Sequence, residues 1–192
     1  MKKIVTLLVV LAFSAVPGVA SVYYFHPNPA DLSDLDHYRY FSWGFEWQNP
    51  DDKITSISMT FKNIQDYTVE PDDILYINLL DTPPGLGVHA YYDYREIGNA
   101  WEGEGPLIGT WSDPLGYPNP PIDLTFNFTE EQVGYFSDFI ADGFVGFGFD
   151  ADCHYFNDGV ELRVETAVPE PLTIGLFGLG LVGMGILRRK KH

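Results

Sequence analysis

Apolar and polar residues alternate with a period of two along much of the chain, which is the pattern of half-buried β-strands. The run 37–47 reads HYRYFSWGFEW and places four aromatic residues on one face: Phe41, Trp43, Phe45 and Trp47. The run 57–61 alternates in the same way. Aromatic residues that alternate in strands mostly face the interior, so we expect these four to fill the core.

Six further runs have the composition and length of short strands, and loops rich in Asn, Asp, Pro and Gly separate them. They are 74–80, 89–94, 107–111, 122–128, 144–149 and 160–164. About eight short strands with this spacing predict an all-β fold, an antiparallel β-sandwich of jelly-roll type.

One stretch departs from this pattern and predicts a short helix. Residues 129–132 read TEEQ, which is a capping box, and apolar residues then recur at helical spacing from Val133 to Ile140. Asp142-Gly143 is a stop signal. We expect this helix to cover one end of the sandwich.

The first 20 residues have the order of a secretory signal peptide. Met1-Lys2-Lys3 is cationic, residues 4–16 are almost wholly apolar, and small residues at 18–20 suit cleavage after Ala20. A buried N-terminal strand is the alternative, but a strand does not need this order. We therefore expect signal peptidase to act during export.

The other end of the chain predicts a transmembrane helix. Residues 172–187 are 16 uncharged residues, which as a helix span roughly 24 Å and fall somewhat short of a ~30 Å hydrocarbon core. Four cations follow this segment: Arg188, Arg189, Lys190 and Lys191. By the positive-inside rule these cations hold the C-terminus in the cytoplasm, so the body lies outside the inner membrane.

The order of Val168-Pro169-Glu170-Pro171, a Gly-rich apolar segment and a basic end resembles the PEP-CTERM sorting signal of exopolysaccharide-producing Gram-negative bacteria. The resemblance implies that exosortase, a membrane-embedded cysteine protease, recognises Pro-Glu-Pro and that the tail is removed or exchanged. It also implies a destination at the cell surface or in the extracellular matrix. A plain stop-transfer anchor is the alternative. The chain would then divide into a signal peptide (1–20), a β-sandwich domain (21–167) and a sorting signal (168–192).

The charge of the predicted domain excludes one class of partner. Of 27 acidic residues only Glu170 lies outside residues 21–167, whereas six of the 11 basic residues do, which leaves 26 acidic residues against 5 basic ones. Nucleic acid is therefore not an expected partner. Such a charge attracts divalent cations, although a dispersed acidic surface does so without a specific site.

The stretch 147–159, FGFDADCHYFNDG, is rich in oxygen ligands. Asp150 and Asp152 project to one side of an extended chain, and Asn157 and Asp158 follow in a loop, so one hypothesis is a calcium site. The spacing is not that of an EF-hand. The alternative is a polar hairpin, because Asn157-Asp158-Gly159 is also a turn signal. The stretch resembles the ending of other PEP-CTERM bodies of unassigned activity, which supports a shared fold and no activity.

Several other residues have the chemistry of a site. Cys153 is the only cysteine, which excludes an intrachain disulfide and predicts a buried small side chain. Glu102 and Glu104 are two carboxylates beside a tryptophan, as in glycosidases, but their spacing in a Gly-rich loop is more typical of a solvated turn. Three aromatic residues in predicted loops or at strand ends are candidates for sugar stacking: Trp101, Trp111 and Tyr117.

These observations lead to two functional hypotheses. The first is a non-enzymatic exported protein with a structural or adhesive role in exopolysaccharide or biofilm, because the sequence lacks a convergent catalytic set. The alternative is a calcium-assisted carbohydrate-binding module, based on the acidic stretch and the loop aromatics.

Overall fold

Two antiparallel five-stranded sheets pack face to face around an apolar core. A computed structural model of the protein describes residues 20–49, 52–69, 73–94 and 98–167. Residues 20–167 form one unit. The predicted signal peptide up to residue 19, the predicted transmembrane helix and its basic flank lie outside the described residues.

The strands are β1 (Val22–Phe25), β2 (Arg39–Glu46), β3 (Ile54–Asp66), β4 (Leu75–Leu80), β5 (Gly87–Tyr92), β6 (Leu107–Trp111), β7 (Ile122–Asn127), β8 (Phe144–Ala151), β9 (Tyr155–Phe156) and β10 (Gly159–Thr166). The first sheet has the order β1-β10-β3-β7, with β9 also paired to β3. The second sheet has the order β5-β2-β8-β4-β6. Every strand pair is antiparallel.

The connectivity passes repeatedly from one sheet to the other. β1, β3, β7 and β10 belong to the first sheet, whereas β2, β4, β6 and β8 belong to the second. This alternation is the strand order of a double-sheet jelly roll, to which β5 adds an edge strand and β9 a short pairing. The predicted β-sandwich is confirmed, and all eight predicted runs contain a strand.

The core is built from the inward-facing residues of the alternating strands. Phe41, Trp43, Phe45 and Trp47 are all buried, as the alternation predicts. The ring of Phe147 lies 6.0 Å from that of Trp43 and 6.4 Å from that of Phe149. Aromatic side chains dominate such a core because each one buries a large apolar area.

The predicted helix is α1 (Glu130–Phe139), and its capping box is present. The Thr129 hydroxyl accepts a hydrogen bond from the backbone N–H of Gln132, and the Gln132 side chain accepts one from the Thr129 N–H. Phe136 is buried against the core. After a 3₁₀ turn (Ile140–Asp142), Gly143 adopts a left-handed conformation with φ 87° and ends the segment, as the sequence predicts.

Candidate functional site

The stretch 147–159 leaves β8 in the second sheet, crosses to the first sheet and enters β9 and β10. Its polar side chains contact several separate segments of the chain. The Asp150 carboxylate accepts a hydrogen bond of 2.5 Å from the N–H of Ala100, and that of Asp152 accepts one of 2.9 Å from the N–H of Gly98. Both acids therefore hold the loop that precedes Trp101.

Asp150 is fully buried on the outer side of β8, where Tyr40 and Tyr76 are its neighbours on the adjacent strands. Its Oδ1 atom has no hydrogen-bond partner. Burial raises the pKa of Asp150 to about 7; the charges of Asp93 and Asp152 add to this, and the bond from Ala100 opposes it. The carboxyl is therefore poised to carry a proton near neutral pH.

The outer face of the second sheet also explains the position of Trp101. Its ring occupies the space above Gly148, where an added Cβ would lie 2.5 Å from the indole. The ring also makes edge contacts with Tyr40 at 5.3 Å and Tyr91 at 6.1 Å. Trp101 is consequently buried in the protein and cannot offer a face to a sugar.

The other two predicted sugar-stacking residues lie elsewhere. Trp111, at the end of β6, is half-buried with its ring 5.3 Å from that of Tyr155. Tyr117 lies in the loop after β6 and is largely exposed. The described ring contacts include none among these three residues.

The predicted calcium ligands do not converge either. The Asn157 side-chain amide donates to the carbonyl of Asp31 at 2.8 Å, and the Asp158 carboxylate accepts from the Asn63 side chain at 2.6 Å. Asp150 and Asp152 instead contact the loop before Trp101. The hydrogen bonds of these four residues therefore reach three different segments: the loop at 98–100, Asp31 and Asn63.

The alternative prediction of a hairpin at Asn157-Asp158-Gly159 also needs correction. β9 pairs with residues 65–66 of β3, and β10 pairs with residues 54–62 of the same strand. The chain therefore does not reverse its direction at residues 157–159. These residues interrupt one long strand that pairs with β3. Opposite the interruption, Asn63 has φ 48°, a left-handed conformation that Asn tolerates.

Two residues of the crossover meet other titratable groups. Ligand atoms of Asp36, His37 and His154 lie within 4.8 Å of one another, and these three residues are half-buried. Cys153 is buried, as predicted, but its thiol donates to the Asp66 carboxylate at 2.9 Å rather than packing against apolar atoms alone.

Glu102 and Glu104 are exposed on the loop around Trp101.

An exposed aromatic surface lies at the start of β2 and the end of β5. We call it the tyrosine patch, and its residues are Asp36, Tyr38, Arg39, Tyr92, Asp93 and Tyr94. The exposed fractions of the three tyrosines are 53%, 68% and 90%. The Arg39 guanidinium lies 5.6 Å from the Tyr92 ring centroid, and the rings of Tyr92 and Tyr94 are 6.3 Å apart. A hollow of about 460 Å³ lies between these side chains.

The sequence did not predict the tyrosine patch, because the runs 37–47 and 89–94 that contain its tyrosines were both assigned to strands. Arg39 pairs with Tyr92 at the last position of the β2–β5 ladder, so Tyr38 and Tyr94 lie just beyond the strand ends. The available signal was the run YYDY at 91–94 beside an acidic loop. Only the register in which β2 pairs with β5 brings this run next to Tyr38.

The comparisons with known proteins concern the end of the chain. Residues 167–191 match the PEP-CTERM protein-sorting motif. The PEP-CTERM motif implies an exported protein that is sorted by exosortase and transiently anchored in the membrane. No curated protein matches the chain. Within the residues that the structure describes, no helix has the length and apolar character needed to cross a membrane.

Proposed function

We propose that the PEP-CTERM protein is a non-enzymatic component of the cell surface or extracellular matrix, with a structural or adhesive role through contact with polysaccharide. The observation that carries the proposal is the tyrosine patch, which exposes three aromatic rings beside a carboxylate and a guanidinium. Sorting by exosortase supports an extracellular site of action.

The chemistry of the tyrosine patch suits a sugar chain. Aromatic faces attract the C–H groups on one side of a pyranose ring, and Tyr92 and Tyr94 are spaced as neighbouring rings. The Asp36 carboxylate can accept hydrogen bonds from sugar hydroxyl groups, and the Arg39 guanidinium can donate hydrogen bonds to them. The hollow is open rather than enclosed, which fits a polymer that passes across the surface.

The charge of the domain indicates which polysaccharide to expect. Residues 21–167 carry 26 acidic and 5 basic residues, so an acidic polymer would be repelled. We therefore propose an uncharged polysaccharide. Calcium is no part of the proposal, because Asp150 and Asp152 contact different elements from Asn157 and Asp158.

The direct test is affinity electrophoresis of the purified full chain in gels that contain neutral polysaccharide from the producing strain. We expect the double variant Tyr92→Ala, Tyr94→Ala to bind about tenfold more weakly, equivalent to about 1.4 kcal/mol. Tyr24→Ala is the matched control, because Tyr24 is as exposed as Tyr38 but lies on β1. Equal retardation of all three proteins would rule out the tyrosine patch.

The proposed role is tested separately in cells. Deletion of the gene should change the mechanical strength or polysaccharide retention of the matrix, and the wild-type gene should restore it. The double tyrosine variant should restore export but not retention. An unchanged matrix in the deletion strain would refute the structural role, whatever the electrophoresis shows.

A further inference from the structure

A buried cluster of metal-ligating side chains lies at one end of the sandwich and shares no residue with the tyrosine patch. Asp66 ends β3, Asp73 precedes β4, and Cys153 lies in the crossover after β8. All three side chains are buried, and one ligand atom from each lies within 4.8 Å of the others. Three chain segments far apart in sequence thus deliver two carboxyls and a thiol to one point.

The Asp66 carboxylate is incompletely satisfied. Its exposed fraction is 0%. Oδ1 accepts hydrogen bonds from the Cys153 thiol at 2.9 Å and from the Thr68 N–H at 3.2 Å, whereas the buried Oδ2 has no hydrogen-bond partner. A buried acceptor without a partner costs stability, and a buried carboxylate costs more unless a cation compensates it.

Among the described residues, no side chain supplies that cation to Asp66. The four described ion pairs involve Glu161, Asp36 and Glu165, and none involves Asp66. Burial raises the pKa of Asp66 to about 6, with the charge of Asp73 acting in the same direction. The environment therefore favours a positive charge between the two acids, either as a proton or as a metal ion.

The thiol is poorly suited to other chemistry. Burial, followed by the hydrogen bond to Asp66, raises the pKa of Cys153 to about 12, which opposes the thiolate needed for nucleophilic or redox reactions. It is also the only cysteine in the chain. A metal ion would change this balance, because a coordinating thiol loses its proton.

We propose that Asp66, Asp73 and Cys153 form a divalent-cation site that prefers zinc. A thiolate with carboxylate oxygens in a closed, small set is a zinc ligand set, whereas calcium takes six to eight oxygen ligands. The carbonyl oxygen of Thr68, 3.6 Å from the Cys153 sulfur, is a candidate for a fourth ligand. This inference is independent of polysaccharide binding.

The proposed ion would hold together one end of the jelly roll. Asp66 belongs to the first sheet and Asp73 leads into the second, while Cys153 lies on the crossover between them. Because the three segments come together only in the folded state, the ion would bind that state selectively and raise the melting temperature.

The test uses the full chain, purified in detergent and stripped with a chelator. Zinc is titrated against a coloured chelator, and cobalt is added to a second sample to detect the near-ultraviolet absorption of a thiolate–cobalt bond. We expect one zinc ion per chain, a cobalt–thiolate band, and a rise in melting temperature with zinc.

Two variants and one control locate the site. Cys153→Ser should remove the cobalt–thiolate band, and Asp66→Asn should weaken zinc binding by about 100-fold, equivalent to about 2.7 kcal/mol. Asp158→Asn removes an exposed acid outside the cluster and should bind zinc as the wild type does.

The wild-type spectrum alone can overturn the proposal, even if a variant fails to fold. Absence of the cobalt–thiolate band would show that the thiol is no ligand. A zinc dissociation constant in the millimolar range or weaker would indicate that Asp66 and Asp73 share a proton rather than a metal ion. Tight calcium binding without a zinc response would contradict the assignment to zinc.

Discussion

Asp150 is a buried carboxyl whose main task is to hold a loop. It accepts the N–H of Ala100, and this bond places Trp101 over Gly148. Its second oxygen has no hydrogen-bond partner, and its pKa is raised to about 7 by burial. Burial of the Asp150 carboxyl lowers the stability of the fold, whereas its hydrogen bond fixes the loop. The balance between these two effects changes with pH, because the carboxyl can be protonated.

This balance predicts a loss of stability as the pH rises. The folded pKa of Asp150 lies above its ordinary value of 3.8, so the folded state binds more protons than the unfolded state between about pH 4 and pH 7. The contribution is therefore present at low pH and is lost as the pH rises through about 7. We expect the melting temperature to fall by about 5 °C between pH 5 and pH 8.

The variant Asp150→Asn should reduce that fall, because the amide carries no charge at either pH. The measurement is calorimetry of the wild type and the variant at both values, with chelator present throughout. Asp158→Asn serves as the control, since Asp158 is exposed. If the variant lost as much stability as the wild type over this interval, Asp150 would not be the titrating group.

Gly148 and Gly134 form a matched pair for the role of Trp101. An alanine Cβ at Gly148 would meet the Trp101 ring, whereas at Gly134 it would meet nothing within 4 Å. We expect Gly148→Ala to destabilise the fold by about 1–3 kcal/mol through overpacking. Gly134→Ala, inside α1, should stabilise it by up to about 1 kcal/mol. Denaturant unfolding measures both, and equal effects would contradict the proposed packing.

The helix α1 is fixed to the sandwich by its first turn. Besides forming the capping box, the Gln132 side-chain amide donates to the carbonyls of Leu107 and Ile108 at 3.0 Å. One side chain thus caps α1 and satisfies carbonyls of β6. The sequence predicted the capping box, but it carried no sign of the contact with β6.

This contact distinguishes two cap substitutions. Thr129→Ala removes one capping bond and should cost about 1 kcal/mol. Gln132→Ala removes the reciprocal cap and both bonds to β6, so it should cost more, about 2 kcal/mol. Ser137→Ala is the control, because its hydroxyl bonds only to the Val133 carbonyl of the same helix. A larger effect at Thr129 than at Gln132 would contradict the bridging role.

The elements that sequence reasoning missed are the shortest ones. β1 has four residues and β9 has two, so neither is long enough to show a clear alternation. Their partners, β10 and β3, supply the hydrogen bonds that define them. The hairpin alternative at 157–159 failed for a related reason: Asn-Asp-Gly favours a turn locally, but the pairing of β9 and β10 with β3 keeps the chain running in one direction.

The exported chain combines a β-sandwich with a sorting motif at its end. The motif covers residues 167–191, and the described core ends with β10 at Thr166. The sandwich contains both the tyrosine patch and the cluster of Asp66, Asp73 and Cys153, so both are exported with it.

The tail gives a prediction for the exported protein. Glu170→Ala changes the Pro-Glu-Pro segment, so we expect the unprocessed form to accumulate in the membrane fraction and the released form to fall several-fold. Immunoblotting of the cell fractions measures both forms. His192→Ala, one residue beyond the matched range, should be processed normally. Normal processing of the Glu170 variant would exclude a role for that carboxylate in recognition.

The sequence by itself determined the features that depend on neighbouring residues. The two period-two runs and six short runs bounded by turn residues specified eight strands, the alternation specified the core face of Phe41 and Trp43, and the capping box specified the start of α1. The order of Pro-Glu-Pro, apolar segment and cations specified the sorting motif. Each of these is a local pattern, because strand periodicity, helix capping and linear motifs are set within about ten residues.

Only the tertiary structure decided which distant side chains meet. It separated Asp150 from Asp158, buried Trp101 and joined Asp66 to Cys153 across 87 positions of the chain. It also brought Tyr38 beside Tyr92 through the pairing of two strands. Such contacts follow from strand register and sheet order, which depend on the packing of the complete core and are not encoded by any single stretch.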